Sequence, residues 1–404
     1  MSLRIKFRTR SVIFKFGVLL LVTFCIILPH FLHTLPFTVY FNRNPEAVIS
    51  AGLDINANNY KQSKQMQSSW SEENNLRLHN DALSQIDFDI VISIVTVKRV
   101  YTSDTPLGYL TQVAVAVDRI FKISQDIRFA VFVCDVYAGP GYHDEAFELE
   151  RYIPVRRRFV NPSPYHVVMD RFEKEKEDYA YCLQEASSYK SKFVLILEDD
   201  AVPVNDFESV LHQTLNSLRY DDSFILKLFY PPRWQGFSST FRHILELCLF
   251  GVFGCTVFYV VNRLLIACTF TSRYFRRYLH SREKTRTTTI YTFVCVYSLL
   301  VALVVGRQNW LELRRVIPPY LYTTVPAPDC CSPAILYPRH TAREITKYLN
   351  QTTCSPNYPL DKALDDFRER NDIPAYLIEP NLVRHIGMVS TIKGLTRHPE
   401  EFLW

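Results

Sequence analysis

The chain has 404 residues, 48% of them hydrophobic, and its 46 basic and 41 acidic residues leave a formal charge of +5. That length holds one large or two ordinary domains. So mild a charge gives no ground for a nucleic-acid partner, and ten cysteines are too few for a disulfide scaffold. The cations cluster beside apolar stretches instead, a mark of membrane topology.

Residues 1–15 form a tail carrying Arg4, Lys6, Arg8, Arg10 and Lys15 and no acid. Residues 16–35 are almost wholly apolar and about long enough to cross a bilayer. A cleaved signal peptide competes with that reading. The run exceeds a typical signal core, however, and no small-x-small cleavage site follows it cleanly. An uncleaved anchor is therefore expected, with the tail cytosolic and the following chain lumenal. Residues 36–86 are rich in Asn, Gln and Ser and read as a lumenal stem of partial order. Trp70 marks where that stem meets a folded domain.

From Asp87 strands and helices alternate, and residues 87–242 read as the first part of one α/β domain. Ile90–Val97 and Phe129–Val133 are β-branched or apolar runs, hence strands, the second ending at Asp135. Between them Asp104 or Thr105 would cap a helix with Pro106 in its first turn. Leu107, Leu110, Val113, Val117 and Phe121 form the inner stripe of that helix. A charged helix over Asp170–Lys190, a strand over Phe193–Leu197, a helix capped by Asn205 and a strand over Phe224–Phe229 follow. This order implies parallel strands with right-handed crossovers.

Residues 243–270 and 288–306 are long apolar runs. The basic loop between them, 271–287, contains Arg273, Arg276, Arg277, Arg282, Lys284 and Arg286 against Glu283. Such a loop belongs in the cytosol, which returns both flanking parts of the α/β domain to the lumen. Glu246 and Arg263 are costly inside the first run, and Arg263 can snorkel. Two buried core helices of a soluble domain are the competing reading. Residues 307–404 resume globular character. Asn350-Gln351-Thr352 is a glycosylation sequon on the lumenal side. In an oxidising lumen Cys354 would pair with Cys330 or Cys331, and Cys134 with Cys182.

The chemistry concentrates at Lys192–Ala201, where five apolar residues run into Glu198, Asp199 and Asp200. Such a run reads as a strand buried on both faces, and ligands bind at the carboxyl ends of such strands. Three carboxylates there repel one another unless a cation joins them. A divalent ion, Mn²⁺ or Mg²⁺, held by Asp200 would bridge to a diphosphate. Glu198 or Asp199 would then reach ribose hydroxyls. Thr96, Lys98 and Arg99 end the first strand, placed to hold a nucleotide's ring or phosphates, with a solvated strand exit as the alternative, and Asp135, ending the second strand, is a further candidate to touch the nucleotide. A nucleotide-sugar glycosyltransferase follows from that set.

Ile94–Arg99 (IVTVKR) with the YLTQ helix resembles the donor-binding start of N-acetylglucosaminyltransferase-IV type GT-A enzymes. LILEDDA resembles the metal motif of that fold. Asn381–Gly387 (NLVRHIG) resembles the segment in which a histidine, here His385, completes the metal site. The paired apolar runs inside the domain depart from those enzymes. With KLFYPPRWQGF before them and DCCSPAILYPR after them, the chain is similar to the Golgi GPI-glycan N-acetylgalactosaminyltransferases, the post-GPI attachment to proteins factor four family. The resemblance implies a GT-A-like sheet interrupted by a two-helix transmembrane hairpin, with an N-terminal anchor. It also implies inverting transfer of N-acetylgalactosamine from UDP-GalNAc to a mannose of the GPI core. The acceptor would be GPI lipid or GPI-anchored protein, and the location the Golgi membrane. Inversion needs a carboxylate base. Asp361 is the first choice, with Asp365 or Asp366 behind it, while a plain helix cap is the alternative role for Asp361. The competing functions are a Golgi N-acetylglucosaminyltransferase acting on N-glycans and a non-catalytic scaffold for GPI proteins.

Overall fold

The computed structural model describes residues 14–70, 87–99, 107–139, 141–159, 170–219, 222–268, 283–390, 394–395 and 398–403. Most of the basic N-terminal tail, the Asp104–Pro106 cap and most of the basic loop 271–287 lie outside the described residues. The chain divides into two compact units, Met1–Asn44 with Pro232–Leu313, and Pro45–Pro231 with Arg314–Trp404.

In the first unit three helices are long and apolar enough to cross a membrane. They are α1 (Phe14–Leu32) and, within longer helices, the windows Phe241–Leu264 and Thr288–Val305. Between α1 and those helices in sequence comes α2 (Pro45–Ser68) of the second unit. The full helices are α7 (Phe241–Cys268) and α8 (Glu283–Val305), and α9 (Arg307–Glu312) follows directly. Glycines let α7 and α8 touch closely. A Cβ built at Gly254 would lie 1.9 Å from Ser298 Oγ, and one at Gly251 would lie 2.7 Å from Cys295 Sγ. Glu246, costly when read alone, is met by Arg307, whose Nε donates to it at 2.6 Å and Nη2 at 3.0 Å. Arg307 is itself 2% exposed, so each charge answers the burial of the other. Arg263 donates from Nε to Tyr259 Oη at 3.1 Å.

The second unit is a mixed α/β structure. Its strands are β1 (Phe88–Thr96), β2 (Phe129–Asp135), β3 (Val155–Arg157), β4 (Ser191–Glu198), β5 (Ala201–Pro203) and β6 (Ile225–Lys227). After the apolar helices come β7 (Thr323–Pro326), β8 (Ala334–Pro338), β9 (Ala375–Glu379) and β10 (Val383–His385). The helices are α2, α3 (Tyr109–Ile123), α4 (Asp144–Leu149), α5 (Arg171–Ser188), α6 (Phe207–Ser217), α10 (Arg339–Leu349) and α11 (Leu360–Arg370). Eight strands form one sheet in the order β3-β2-β1-β4-β8-β6-β9-β7. β1, β2, β3 and β4 are parallel, as the alternation of strand and helix predicts. The all-parallel expectation fails beyond them: β8 runs antiparallel to both β4 and β6, and β7 antiparallel to β9.

Alternate residues of the central strands feed two cores. Ile90, Ile92 and Ile94 pack with Val113 and Val117 of α3 and Leu211 of α6. Val91, Val194 and Ile196 pack with Leu183 of α5, Ile345 of α10 and Phe367 of α11. A sheet covered by helices on both faces explains why β4 is a continuous apolar run. Asp170 caps α5, its carboxylate accepting from Phe172 N and Glu173 N. α6 begins at Phe207, one residue later than a cap at Asn205 requires, with Asp206 at its N-cap.

Two further expectations are corrected. Residues 45–68 of the expected stem form the 24-residue helix α2. Its Asn56 donates to Leu107 O at 2.8 Å and accepts from Gln112 Nε2 at 2.9 Å, so polar contacts dock it where apolar content is low. Trp70, just beyond, packs edge-on against Tyr152. The second correction concerns cysteines. Cys134 and Cys182 are bonded as expected, joining β2 to α5. Cys330 and Cys331, however, are bonded to each other, and Cys354 is a buried free thiol among the residues under α10 and α11. With both expected partners bonded to each other, Cys354 is left without a disulfide among the described residues.

Candidate active site

The acids after β4 stand at the carboxyl end of the parallel part of the sheet, where adjoining strands deliver their partners. β1 ends beside them and brings Thr96, whose hydroxyl donates to Asp199 Oδ2 at 2.6 Å. Arg99, three residues on, places Nη1 2.5 Å from Asp199 Oδ1 and Nη2 2.9 Å from Asp200 Oδ2. Its guanidinium also lies over the Tyr109 ring at the start of α3, 5.0 Å from the centroid. The chain then turns into β5, which pairs antiparallel with β10, setting His385 opposite Ala201. Ile386 N donates to Asp200 O at 2.8 Å. That short ribbon carries a residue 185 positions away in sequence onto the acid cluster, with His385 Nε2 3.4 Å from Asp200 Oδ1.

Glu198, Asp200 and His385 each offer one ligand atom, and these atoms lie within 4.8 Å of one another. Asp199 and Asp200 are buried, at 3% and 4% exposure. Buried Asp200 Oδ1 has no hydrogen-bond partner among the described residues. Gly387 closes the group. A Cβ there would lie 2.0 Å from Asp200 Oδ2 and 3.0 Å from His385 Nε2. Any side chain at 387 would fill the space the two share.

The electrostatics reflect crowded, buried carboxylates. Burial pushes Glu198 up to about 8, helped by the Asp200 charge and opposed by His385. Burial also works to raise Asp200, but His385 and Arg99 overcome it and hold that carboxyl well below the usual range. Burial disfavours charge on His385, yet Asp200 and Glu198 keep its pKa raised. Two carboxylates and an imidazole, one oxygen orphaned, suit a divalent ion such as Mn²⁺ or Mg²⁺.

Asp361 is tied to the cluster through Ser332. That hydroxyl lies 3.2 Å from Glu198 Oε1 and also bonds to Asp361, which accepts from Cys331 N–H as well. Burial raises the Asp361 pKa against the pull of Lys227. Asp361 lies in the first turn of α11, while the N-cap position is Pro359. Asp365 is otherwise engaged. Its Oδ2 accepts from Cys330 N at 2.9 Å, and its Oδ1 is 3.5 Å from buried Lys227 Nζ. Lys227 also donates to Cys330 O at 2.8 Å and Pro328 O at 3.0 Å. Asp366 accepts from Tyr358 Oη at 2.7 Å.

Two expected residues stand apart from the acids. Lys98 turns to Asp144, 2.8 Å away, and to Tyr142 O. Asp135, at the end of β2, accepts from Tyr137 N and lies 3.8 Å from Arg157 Nε and 3.7 Å from His143 Nδ1. Asn350 is exposed at the C-terminal end of α10. Sequence reasoning passed over Tyr109, Lys227, Ser332 and Gly387. Each lies in a quoted motif, Tyr109 opening YLTQ, Lys227 opening KLFYPPRWQGF, Ser332 within DCCSPAILYPR and Gly387 ending RHIG, but none was singled out there.

The family model described as GPI-N-acetylgalactosamine transferase PGAP4 matches residues 90–384. That span takes in most of both sequence segments of the second unit and the two apolar helices between them, and stops one residue before His385. The chain belongs to the GPI-N-acetylgalactosamine transferase PGAP4 family, and is thus a glycosyltransferase that acts on the GPI glycan.

Proposed function

We propose that the chain transfers N-acetylgalactosamine from UDP-GalNAc to a mannose of the GPI core, with inversion, in a GT-A-type site that uses a divalent ion. The juxtaposition of Glu198, Asp200 and His385 in a member of this family carries that reading. Asp200 and His385 would hold the ion, with Glu198 beside them. When bound, Mn²⁺ or Mg²⁺ supplies positive charge that stabilises the diphosphate as the sugar bond breaks. Arg99 fixes Asp199 and Asp200 in place and adds a cation on the same side. Thr96 and Asp199 would meet the nucleoside, while Lys98 and Asp135, at the neighbouring strand ends, would act on the donor only from outside the acid cluster.

Asp361 is the proposed base. Its raised pKa makes it a stronger proton acceptor, and Cys331 N–H and Ser332 Oγ orient it. It would take the proton of the attacking mannose hydroxyl. Asp365 would serve as a positioning group, since both its oxygens already have partners. The three apolar helices fit a multi-pass protein with a cytosolic N-terminus, its catalytic unit in the Golgi lumen and Asn350 glycosylated. The test is transfer by the detergent-purified full chain from UDP-GalNAc to a GPI acceptor. Activity should vanish with EDTA, return with Mn²⁺ and be absent in Asp200→Ala. Donor hydrolysis or transfer that persists in Asp200→Ala would overturn the assignment.

A further inference from the structure

Behind the ribbon that carries His385 lies a second polar cleft, about 410 Å³, walled by α2, α3 and the β5–β10 pair. Successive side chains of a strand point to opposite faces. His385 faces the acid cluster, while Arg384 and Ile386 line this cleft on the other face, with Val202 and Val204 of the partner segment. Arg119 of α3 reaches the same space. Arg119 and Arg384 are both exposed, and neither guanidinium makes a hydrogen bond or ion pair with any described residue. Asn59, Gln62 and Asn205 surround them with amides. The cleft also holds Arg315, already engaged by Tyr322 Oη at 2.9 Å and Asn381 O at 2.8 Å. One acid, Asp206, is present, and its Oδ2 accepts from Tyr322 Oη at 2.9 Å. Cationic side chains therefore outnumber acids, and two guanidiniums are uncommitted. Guanidiniums suit phosphate oxygens, and amides suit ring hydroxyls.

We propose that this cleft binds a phosphate ester carried beside ring hydroxyls, and that its occupant is the phosphoinositol end of the GPI glycan. The identity of the occupant rests on the reading of the GPI glycan as acceptor. Side-chain tips on the two faces of a strand lie on the order of 10 Å apart. A few sugar units span that distance, so one glycan can reach both faces around the ribbon's edge. The cleft then supplies affinity for the acceptor without touching the reacting atoms.

The probe is myo-inositol 1-phosphate, titrated by calorimetry into the full chain in detergent. Saturable binding is expected, weakened at least about tenfold in Arg119→Gln/Arg384→Gln, since charged phosphate contacts are the strong ones. Arg119→Lys, which keeps the charge, should retain binding. In transfer assays Arg119→Gln should raise KM for a phosphate-bearing acceptor. It should leave kcat, and KM for a phosphate-free mannose glycan, unchanged. Equal binding by wild type and double variant, or equal binding of unphosphorylated myo-inositol, overturns the proposal. So does binding seen only with phosphatidylinositol vesicles, which would assign the cleft to the membrane surface. Normal inositol phosphate binding without sugar transfer would defeat the transferase reading and leave the cleft standing.

Discussion

Asp200 makes three contacts that no other carboxylate in the cluster combines: Arg99, His385 and the empty Cβ position of Gly387. Gly387→Ala should therefore act like a ligand mutation although it removes nothing. A methyl 2.0 Å from Asp200 Oδ2 must displace that oxygen. Transfer should fall while the thermal midpoint in EDTA moves little, and wild-type turnover in Gly387→Ala would refute the cramped geometry. Asp361→Asn should lower kcat by about 10²- to 10⁴-fold, the usual worth of a general base, with KM for the donor retained. Lys227→Met should act on stability instead. It strands Asp365 and two carbonyls, and breaking a buried pair costs about 3–5 kcal/mol, so a lowered thermal midpoint is the readout.

At the scale of elements, the Cys134–Cys182 bond fastens the strand that ends at Asp135 to α5 across 48 residues. Removing a cross-link over such a loop should cost about 2–4 kcal/mol. Cys182→Ser should accordingly lower the thermal midpoint of the oxidised chain and not that of the chemically reduced one. A continuous apolar run made β4 and its terminal acids readable, and periodicity made α3 and α5 readable. Helix α2 was not, because its buried positions are few and include Val48, Gly52 and the polar Asn56. Docking through amide bonds leaves no hydrophobic stripe to detect. The antiparallel course of β8 also escaped, since strand direction depends on how the chain returns after the apolar helices. Local pattern carries no such information. The His385 contact was reachable only through resemblance. The Cys330–Cys331 bond escaped because Cys354, near in sequence, reads as the partner of one of the two.

For the whole molecule, three helices long and apolar enough to cross a membrane would, on the proposed reading, tether the catalytic unit near a lipid-linked acceptor and raise the effective concentration of that acceptor. Replacing residues 232–313 by a soluble linker should depress transfer to lipid-bound acceptor and spare transfer to a soluble glycan. Equal loss on both would contradict the tethering argument. Occupancy of Asn350, read as a glycosidase-sensitive band absent in Asn350→Gln, reports which side of the membrane the second part of the sheet occupies.

The position of β8 has a consequence for biosynthesis. It lies between β4 and β6, both made before the apolar helices, while β8 itself is made after them. A nascent chain complete to residue 231 thus holds two strands whose shared neighbour is not yet made. Those unpaired edges would recruit any passing strand. Such a half-built product calls for chaperone cover until β8 arrives, and a chain cut short after Val305 should be destroyed rather than accumulate.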